Sequence, residues 1–276
     1  MKDYANPQLL VAPAELNGML GAPGLHIVDC RPTEAYVAGH LPGAVHADLY
    51  GLNLCDSDPA PLRAFLWMIA YLFGIKGIDQ SQTVVLYDDT TDWRVARTWW
   101  LLDVFGHARA RVLNGGFNAW ARGEFGVSTE AIAPIRTAFQ ASPQVRGLAS
   151  YHDVLASLDR TGTRRVDTRN RDEFLGRDVQ AARGGAIPGA VWVDYLQNLT
   201  AEGTFRPAAE LESLYAGAGV RRDQDVITYC QGGYRGAHSY LALRLLGYPS
   251  VRNYIGSWKE WGDRPELPVE IPQDGD

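Results

Sequence analysis

The chain has 276 residues, with 26 Lys and Arg against 32 Asp and Glu, so its formal net charge is −6. This length is enough for one large domain or for two domains of ordinary size. Hydrophobic residues make up 46% of the chain and charged residues 21%, which excludes a disordered or fibrous protein. The acidic balance argues against a nucleic-acid partner, because such a partner requires a basic surface.

The distribution of apolar residues and cysteines predicts a cytoplasmic protein that has no membrane contact. Pro7 and Pro13 interrupt the apolar N-terminal stretch, so it does not resemble a signal peptide. The longest apolar run, from Phe65 to Phe73, is about half the roughly 20 residues of a membrane span. The three cysteines at 30, 55 and 230 form no CxxC pair and, being odd in number, cannot all form disulfides with one another. This is typical of a reducing compartment. The histidines lack the spacing of metal ligands, so we expect no metal site.

Short β-branched runs alternate with longer apolar stretches along the chain. The short runs predict buried parallel strands, and the longer stretches predict helices, two of which close on a glycine. In chain order the elements are a strand at 26–29, a helix at 63–74, a strand at 83–87, a helix at 95–106, strands at 164–167 and 225–229, and a helix at 237–247. This alternation predicts an α/β fold with a central parallel sheet flanked by helices.

The sequence repeats itself once. The segment 27–48 returns as 165–194, with a D-x-R pair and a PGAV block in each copy. The motif LNGGFNAW at 113–120 is matched by YIGSWKEW at 254–261. Matching motifs in the same order predict a tandem duplication. We therefore expect an N-terminal domain at 1–130, a linker at 131–147 where Pro134 and Pro143 interrupt any periodicity, and a C-terminal domain at 148–276.

The two copies differ most just after the predicted strands 83–87 and 225–229, which match each other. The first copy has Asp88 there, whereas the second has Cys230 followed by QGGYRG, and the last helix is expected to begin at about Ala237. Ligands bind at the carboxyl ends of strands in open α/β sheets, and a helix N-terminus favours an anion. Cys230 is therefore the candidate nucleophile, while Cys30 and Cys55 are expected to be small buried hydrophobes.

The paired PGA blocks, the GG/GS-x-x-x-W motifs and the CQGGYR loop in the second copy alone resemble the two-domain rhodanese family. This family comprises thiosulfate sulfurtransferases and includes 3-mercaptopyruvate sulfurtransferases. The resemblance implies that the N-terminal domain is inactive, with Asp88 at the position of the cysteine. It also implies that Cys230 takes a sulfane sulfur from thiosulfate, becomes a persulfide and passes the sulfur to cyanide or another thiophilic acceptor. No cofactor is implied.

The same resemblance assigns roles to the neighbours of Cys230. Arg235 would attract the sulfonate group of thiosulfate, and Arg183 stands where the family places a substrate-binding arginine. The two D-x-R pairs would be structural. Tyr234 either packs or forms a wall of the pocket, and His238 is either structural or a general base. The backbone N–H groups of the loop would hold the transferred sulfur; the residues concerned are Gln231, Gly232, Gly233, Tyr234, Arg235 and Gly236.

Three alternatives remain at this stage. The donor could be 3-mercaptopyruvate, although the positive charge of Arg235 favours thiosulfate. The protein could also act as a persulfide carrier that hands sulfur to a partner protein. A cysteine phosphatase would need a C-x5-R loop, but Cys230 and Arg235 form C-x4-R, which suits a single sulfur atom better. We expect a monomer.

Overall fold

The protein is described from a computed structural model that covers residues 3–139 and 146–273. The N-terminal sheet contains the strands β1 Leu10–Val11, β2 Leu25–Asp29, β3 Ala44–His46, β4 Thr83–Tyr87 and β5 Ala110–Leu113. Around it lie the helices α1 Pro13–Met19, α2 Thr33–Ala38, α3 Pro59–Ile75, α4 Trp93–Val104 and α5 Gly116–Arg122.

The C-terminal sheet repeats this arrangement. Its strands are β6 Leu148–Ala149, β7 Thr163–Asp167, β8 Val191–Trp192, β9 Asp225–Tyr229 and β10 Val251–Tyr254. Its helices are α6 Tyr151–Ala156, α7 Arg171–Phe174, α8 Ala208–Gly217, α9 Tyr234–Leu245 and α10 Ser257–Asp263, and a 3-10 turn spans Tyr195–Asn198.

The two sheets share one topology. Within the described residues each has five parallel strands, in the orders β1-β5-β4-β2-β3 and β6-β10-β9-β7-β8. Position by position these orders are identical, so the predicted duplication of an α/β unit is confirmed. The central strands β4 and β9 are almost fully buried, which explains why TVVLY and DVITY are mostly apolar and do not alternate strictly between apolar and polar residues.

The two domains pack through equivalent helices. α4 and α9 lie against each other, and their side chains belong to a hydrophobic core that runs across both domains. Polar contacts fix their alignment: the hydroxyl of Tyr240 donates to Asp103 at 2.6 Å, and Arg244 binds the same carboxylate at 2.7 Å. The carboxyl ends of β4 and β9 are followed directly by these helices, so the loops after both strands lie at the domain interface.

The predicted linker at 131–147 is only partly visible, because residues 140–145 lie outside the described part of the chain. Its described beginning contacts the N-terminal domain: Thr137 donates its N–H to the carbonyl of Gly74 at 2.9 Å, and the ring of Phe139 packs on Phe73 and Phe105. The domain limits at 130 and 148 stay predictions. No helix among the described residues combines the length and the apolarity that crossing a membrane requires.

Candidate active site

Cys230 is the first residue after β9, at the carboxyl end of the central strand. Its Sγ accepts a hydrogen bond from the backbone N–H of Gly233 at 3.1 Å, and only 1% of the residue is exposed. Gly233 has the left-handed φ of +82° and is the N-cap of α9, so the chain turns sharply and brings the helix N-terminus to the sulfur. This geometry places Cys230 where the partial positive charge of the helix favours an anion.

α9 begins at Tyr234, three residues earlier than the sequence predicted. The left-handed turn at Gly233 is the reason, because it ends the loop after only four residues. Tyr234, Arg235 and Gly236, predicted as loop residues, therefore form the first turn of the helix. A Cβ at Gly236 would come within 2.4 Å of the Asn253 side chain, so this glycine allows α9 to pack closely on β10.

Ser257 holds the other side of the Cys230 loop. Its Oγ accepts the N–H of Cys230 at 3.1 Å and donates to the carbonyl of Tyr254 at 2.8 Å. Ser257 has a φ of +52°, a conformation in which non-glycine residues are uncommon. The equivalent residue of the first repeat is Gly116, with a φ of +59°. A serine is thus kept in a strained position only in the domain that carries the cysteine.

Residues of both domains line a cavity of about 260 Å³ that opens at Cys230. The C-terminal domain contributes Cys230, Gln231, Gly232, Tyr234 and Arg235, and the N-terminal domain contributes Tyr50, Asn53 and Trp93. None of these last three was predicted from the sequence. A signal for Trp93 was present, because Trp93-Arg94 in the first copy resembles Tyr234-Arg235 in the second. In the structure the rings of Trp93 and Tyr234 lie 5.6 Å apart.

Arg235 lines this cavity but is not free to move. Its Nη1 and Nη2 donate to the two carboxylate oxygens of Glu173 at 2.6 and 2.9 Å. Burial acts to raise the pKa of Glu173, but the hydrogen bonds and the charge of Arg235 outweigh it and lower this pKa. The bidentate pair fixes the guanidinium beside the cavity with part of its side chain exposed. Glu173 was not predicted from the sequence either. A difference between the repeats could have pointed to it, because the first repeat has Ala35 at the matching position.

Arg183 is not brought to Cys230. It does not line the cavity, and its guanidinium donates to the backbone carbonyls of Trp261, Gly262, Arg264 and Leu267 at the end of α10 and just after it. Such contacts satisfy the last carbonyls of a helix and give Arg183 a structural position. The resemblance placed a substrate-binding arginine here; the geometry does not support that role.

The remaining loop side chains are anchored outward. Gln231 donates to the carbonyl of Gln180 at 2.7 Å, and the hydroxyl of Tyr234 donates to the carbonyls of Leu49 and Leu52 across the domain interface. A Cβ at Gly232 would lie 3.2 Å from Asn53. These side chains hold the loop in place, and the loop group that binds the sulfur is the N–H of Gly233.

The other candidates from the sequence lie elsewhere. His238 is fully buried in α9, where burial lowers its pKa to about 4, and its Nε2 lies 2.9 Å from the carbonyl of Thr91. It is therefore neutral near pH 7. Cys30 is buried, as expected, and burial raises the pKa of its thiol. Cys55 is exposed, so the expectation that it is buried was wrong. Among the residues that the structure describes, no cluster of three or more acidic, His or Cys side chains could hold a metal ion.

The comparison with known protein families agrees with this geometry. The rhodanese-like domain matches twice, at residues 12–122 and 150–264. The chain belongs to the rhodanese family. The family and the tandem fold predicted from the sequence are therefore confirmed.

Curated relatives of this rhodanese match over nearly its whole length. It is 37% identical to a thiosulfate sulfurtransferase of Corynebacterium glutamicum, with 98% of this chain and 92% of the relative aligned. It is 35% identical to a thiosulfate sulfurtransferase of Azotobacter vinelandii, covering 98% of this chain and all of the relative. These relatives support the prediction that the chain is an enzyme of the sulfurtransferase class.

Solved structures share the fold at lower identity. An anaerobic ergothioneine biosynthesis enzyme from Chlorobium limicola, in complex with its natural substrate trimethyl histidine, superimposes with a TM-score of 0.86. It is 23% identical, and the match covers 98% of this rhodanese and 72% of that chain. At this identity the likeness concerns the fold.

Proposed function

We propose that this rhodanese moves the outer, sulfane sulfur of thiosulfate to cyanide or another thiophilic acceptor, by way of a persulfide on Cys230. The setting of the sulfur carries the proposal. Cys230 Sγ lies at the N-terminus of α9, receives the Gly233 N–H at 3.1 Å and borders a cavity beside Arg235. The names of the curated relatives point to the same donor.

In the first step the Cys230 thiolate attacks the sulfane sulfur of thiosulfate. A bond forms between the two sulfurs, the bond from the sulfane to the sulfonate sulfur breaks, and sulfite leaves with the electron pair. The negative charge then lies on the outer persulfide sulfur. The first N–H groups of a helix have no carbonyl partner within the helix, so those of α9 can stabilise this charge. Arg235 would attract the sulfonate end of the donor.

In the second step the carbon of cyanide attacks the outer sulfur. Thiocyanate forms, the persulfide bond breaks, and the electron pair returns to Cys230 as a thiolate. The cycle needs no cofactor and no other redox partner, because one two-electron displacement reverses the other.

The walls of the cavity favour organic thiols as further acceptors. The ring of Trp93 lies 5.2 Å from that of Tyr50 and 5.6 Å from that of Tyr234, and all three residues line the cavity. Such a surface gains from contact with an apolar carbon skeleton, which cyanide lacks. We therefore include an organic thiol or a cysteine of a partner protein among the candidate acceptors.

The test is thiocyanate formation from thiosulfate and cyanide. We expect Cys230→Ala to lose at least about a thousandfold in kcat/KM, because Cys230 is the one thiol among the described residues that line the cavity. Cys55→Ala, which removes the exposed cysteine, is the matched control and should keep wild-type activity. Thiocyanate formation by a correctly folded Cys230→Ala protein would contradict the proposal. A higher kcat/KM for 3-mercaptopyruvate than for thiosulfate would replace the proposed donor.

A further inference from the structure

Arg97 of α4 differs from Arg31 and Arg169, which are buried to a similar extent. Arg31 and Arg169 are 2% and 1% exposed, and each pairs with the aspartate of its own D-x-R motif at 2.6 and 2.5 Å. Arg97 is 1% exposed, yet it has no carboxylate partner among the described residues. Its Nε and Nη2 are buried without a hydrogen bond, and its Nη1 reaches only the carbonyl of Gly233, at 3.4 Å.

An unpaired buried cation is unfavourable unless other groups offset its lost hydration. The rings of Trp100 and Tyr234 lie 4.6 and 5.2 Å from the guanidinium carbon and supply part of this compensation. Burial lowers the pKa of Arg97 to about 10, with Tyr234 and the Cys230 sulfur acting in the opposite direction. Arg97 therefore remains charged near neutral pH.

Gly233 connects this cation to the candidate nucleophile. Its N–H donates to Cys230 Sγ at 3.1 Å, while its carbonyl accepts from Arg97 and from Asn253, the latter at 3.0 Å. A Cβ at Gly233 would come within 2.9 Å of Arg97 Nη1. One residue, Gly233, thus lies between the cation of the N-terminal domain and the sulfur of the C-terminal domain.

The duplication provides an internal comparison. Arg97 follows the first residue of α4 by four positions, and His238 follows the first residue of α9 by four. Each side chain crosses the interface to the loop of the opposite domain: Arg97 to the carbonyl of Gly233, and His238 to the carbonyl of Thr91. The residue that faces the loop with Asp88 is a neutral histidine. The residue that faces the loop with Cys230 is a cation.

We propose that Arg97 is a positioning residue through which the N-terminal domain takes part in sulfur transfer. It holds Gly233 in the position from which the N–H of this residue donates to Cys230 Sγ, and the charge of Arg97 stabilises the negative sulfur of the thiolate and of the persulfide. The inference rests on the proposed role of Cys230 as the sulfur carrier. It gives the domain without a cysteine a function in the reaction of the other domain.

The test separates charge from packing. In a Cys55→Ala background, the rate of Cys230 alkylation by iodoacetamide is measured against pH in wild type, Arg97→Gln and Arg97→Lys. Gln keeps a polar amide but carries no charge, whereas Lys keeps the charge. We expect its alkylation profile to move upward by about one pH unit, so that the rate near pH 7 falls about tenfold. Arg97→Lys should restore most of the wild-type profile, and kcat for thiosulfate should fall more than KM rises in Arg97→Gln.

His238→Gln is the matched control, because it changes the equivalent residue at the same interface. It should change thermal stability without moving the alkylation profile. A wild-type profile in folded Arg97→Gln, or an equal shift in His238→Gln, would overturn the proposal. If Arg97→Gln does not fold, Arg97→Met decides by the same criterion, since it removes the buried N–H groups along with the charge. Alkylation requires no turnover, so the two proposals can fail separately. A wild type that makes no thiocyanate would contradict the proposed function, whereas the alkylation profiles would still decide the role of Arg97.

Discussion

The loops after β4 and β9 occupy equivalent places in the two domains but end in opposite ways. The first, at 88–92, ends in Asp92, whose carboxylate accepts the N–H of Trp93 at 2.6 Å and caps α4. The second, at 230–233, ends in left-handed Gly233, which caps α9 without a side chain. A carboxylate already occupies the first helix N-terminus. The second N-terminus has no carboxylate cap, and the Cys230 sulfur lies there instead.

The electrostatic surroundings of the two loops differ in the same sense. Burial, together with the charges of Asp92 and Asp89, raises the pKa of Asp88 to about 7. His238, which faces this loop, is neutral, whereas Arg97 faces the loop of Cys230. The first loop therefore differs from the second in more than its missing cysteine. The cap, the loop length and the facing charge have all diverged.

Transplanting the cysteine is the strongest way to break this comparison. We expect Asp88→Cys combined with Cys230→Ala to remain at least about a thousandfold below wild type in thiocyanate formation, because a thiolate at position 88 would meet the Asp92 carboxylate and a neutral His238. Activity within about tenfold of wild type would mean that the cysteine alone distinguishes the two loops. Circular dichroism and thermal unfolding of the double variant provide the control for folding.

The buried carboxyl of the first loop makes a second contrast measurable. Asp88 keeps its proton up to about pH 7 in the folded protein, whereas the ordinary pKa of an aspartate is 3.8. Between these values the folded state binds more protons, so its stability is greatest in acid and falls as the pH rises through 7. Asp88→Asn keeps an acceptor for the N–H of Asp89 and cannot ionise. Its gain in the free energy of unfolding should be about 2 kcal/mol larger at pH 8 than at pH 5. An equal gain at both values in urea unfolding would contradict the assigned protonation.

The sequence was sufficient for the features that depend on local pattern. The strands at 25–29, 83–87, 163–167 and 225–229 coincide with β-branched runs, and the repeat of D-x-R and PGAV motifs revealed two copies of one fold. Cys230 stood out for the same reason, because a glycine-rich loop followed a central strand in one copy only. These signals lie within a few residues of each other and need no knowledge of the packing.

Features that depend on packing between distant segments were not predictable. Glu173 and Arg235 are 62 residues apart in the chain, and Arg97 and Gly233 are separated by 136. A substrate-binding role was predicted for Arg183 from the resemblance and its place before Gly184 and Gly185. Its side chain instead reaches carbonyls 78 to 84 residues away. The early start of α9 depended on the left-handed conformation of Gly233, which its sequence permits but does not require.

The smallest expected effect concerns the affinity for thiosulfate at the loop that carries Cys230. Replacing Arg235 alone would leave the buried Glu173 carboxylate unpaired beside an anion site, so the informative variant is Arg235→Met combined with Glu173→Gln. We expect KM for thiosulfate to rise about tenfold, because a charge-assisted contact to the sulfonate is lost, while kcat changes by less than about threefold. Steady-state kinetics with thiosulfate as the varied substrate measure both values.

Two single variants sharpen that result. Arg94→Met alters the second residue of α4, which corresponds to Arg235 in α9, but Arg94 contacts Asp48 and the rings of Tyr50 and Trp93 rather than the cavity. Arg183→Met removes the arginine at the end of α10. Both should leave KM for thiosulfate within about twofold of wild type, and Arg183→Met should lower the unfolding temperature, because buried carbonyls lose their donors. A tenfold rise in KM on Arg183→Met, with none in the Arg235 and Glu173 variant, would contradict the role of Arg235. It would indicate that thiosulfate binds to Arg183, in the segment before Gly184.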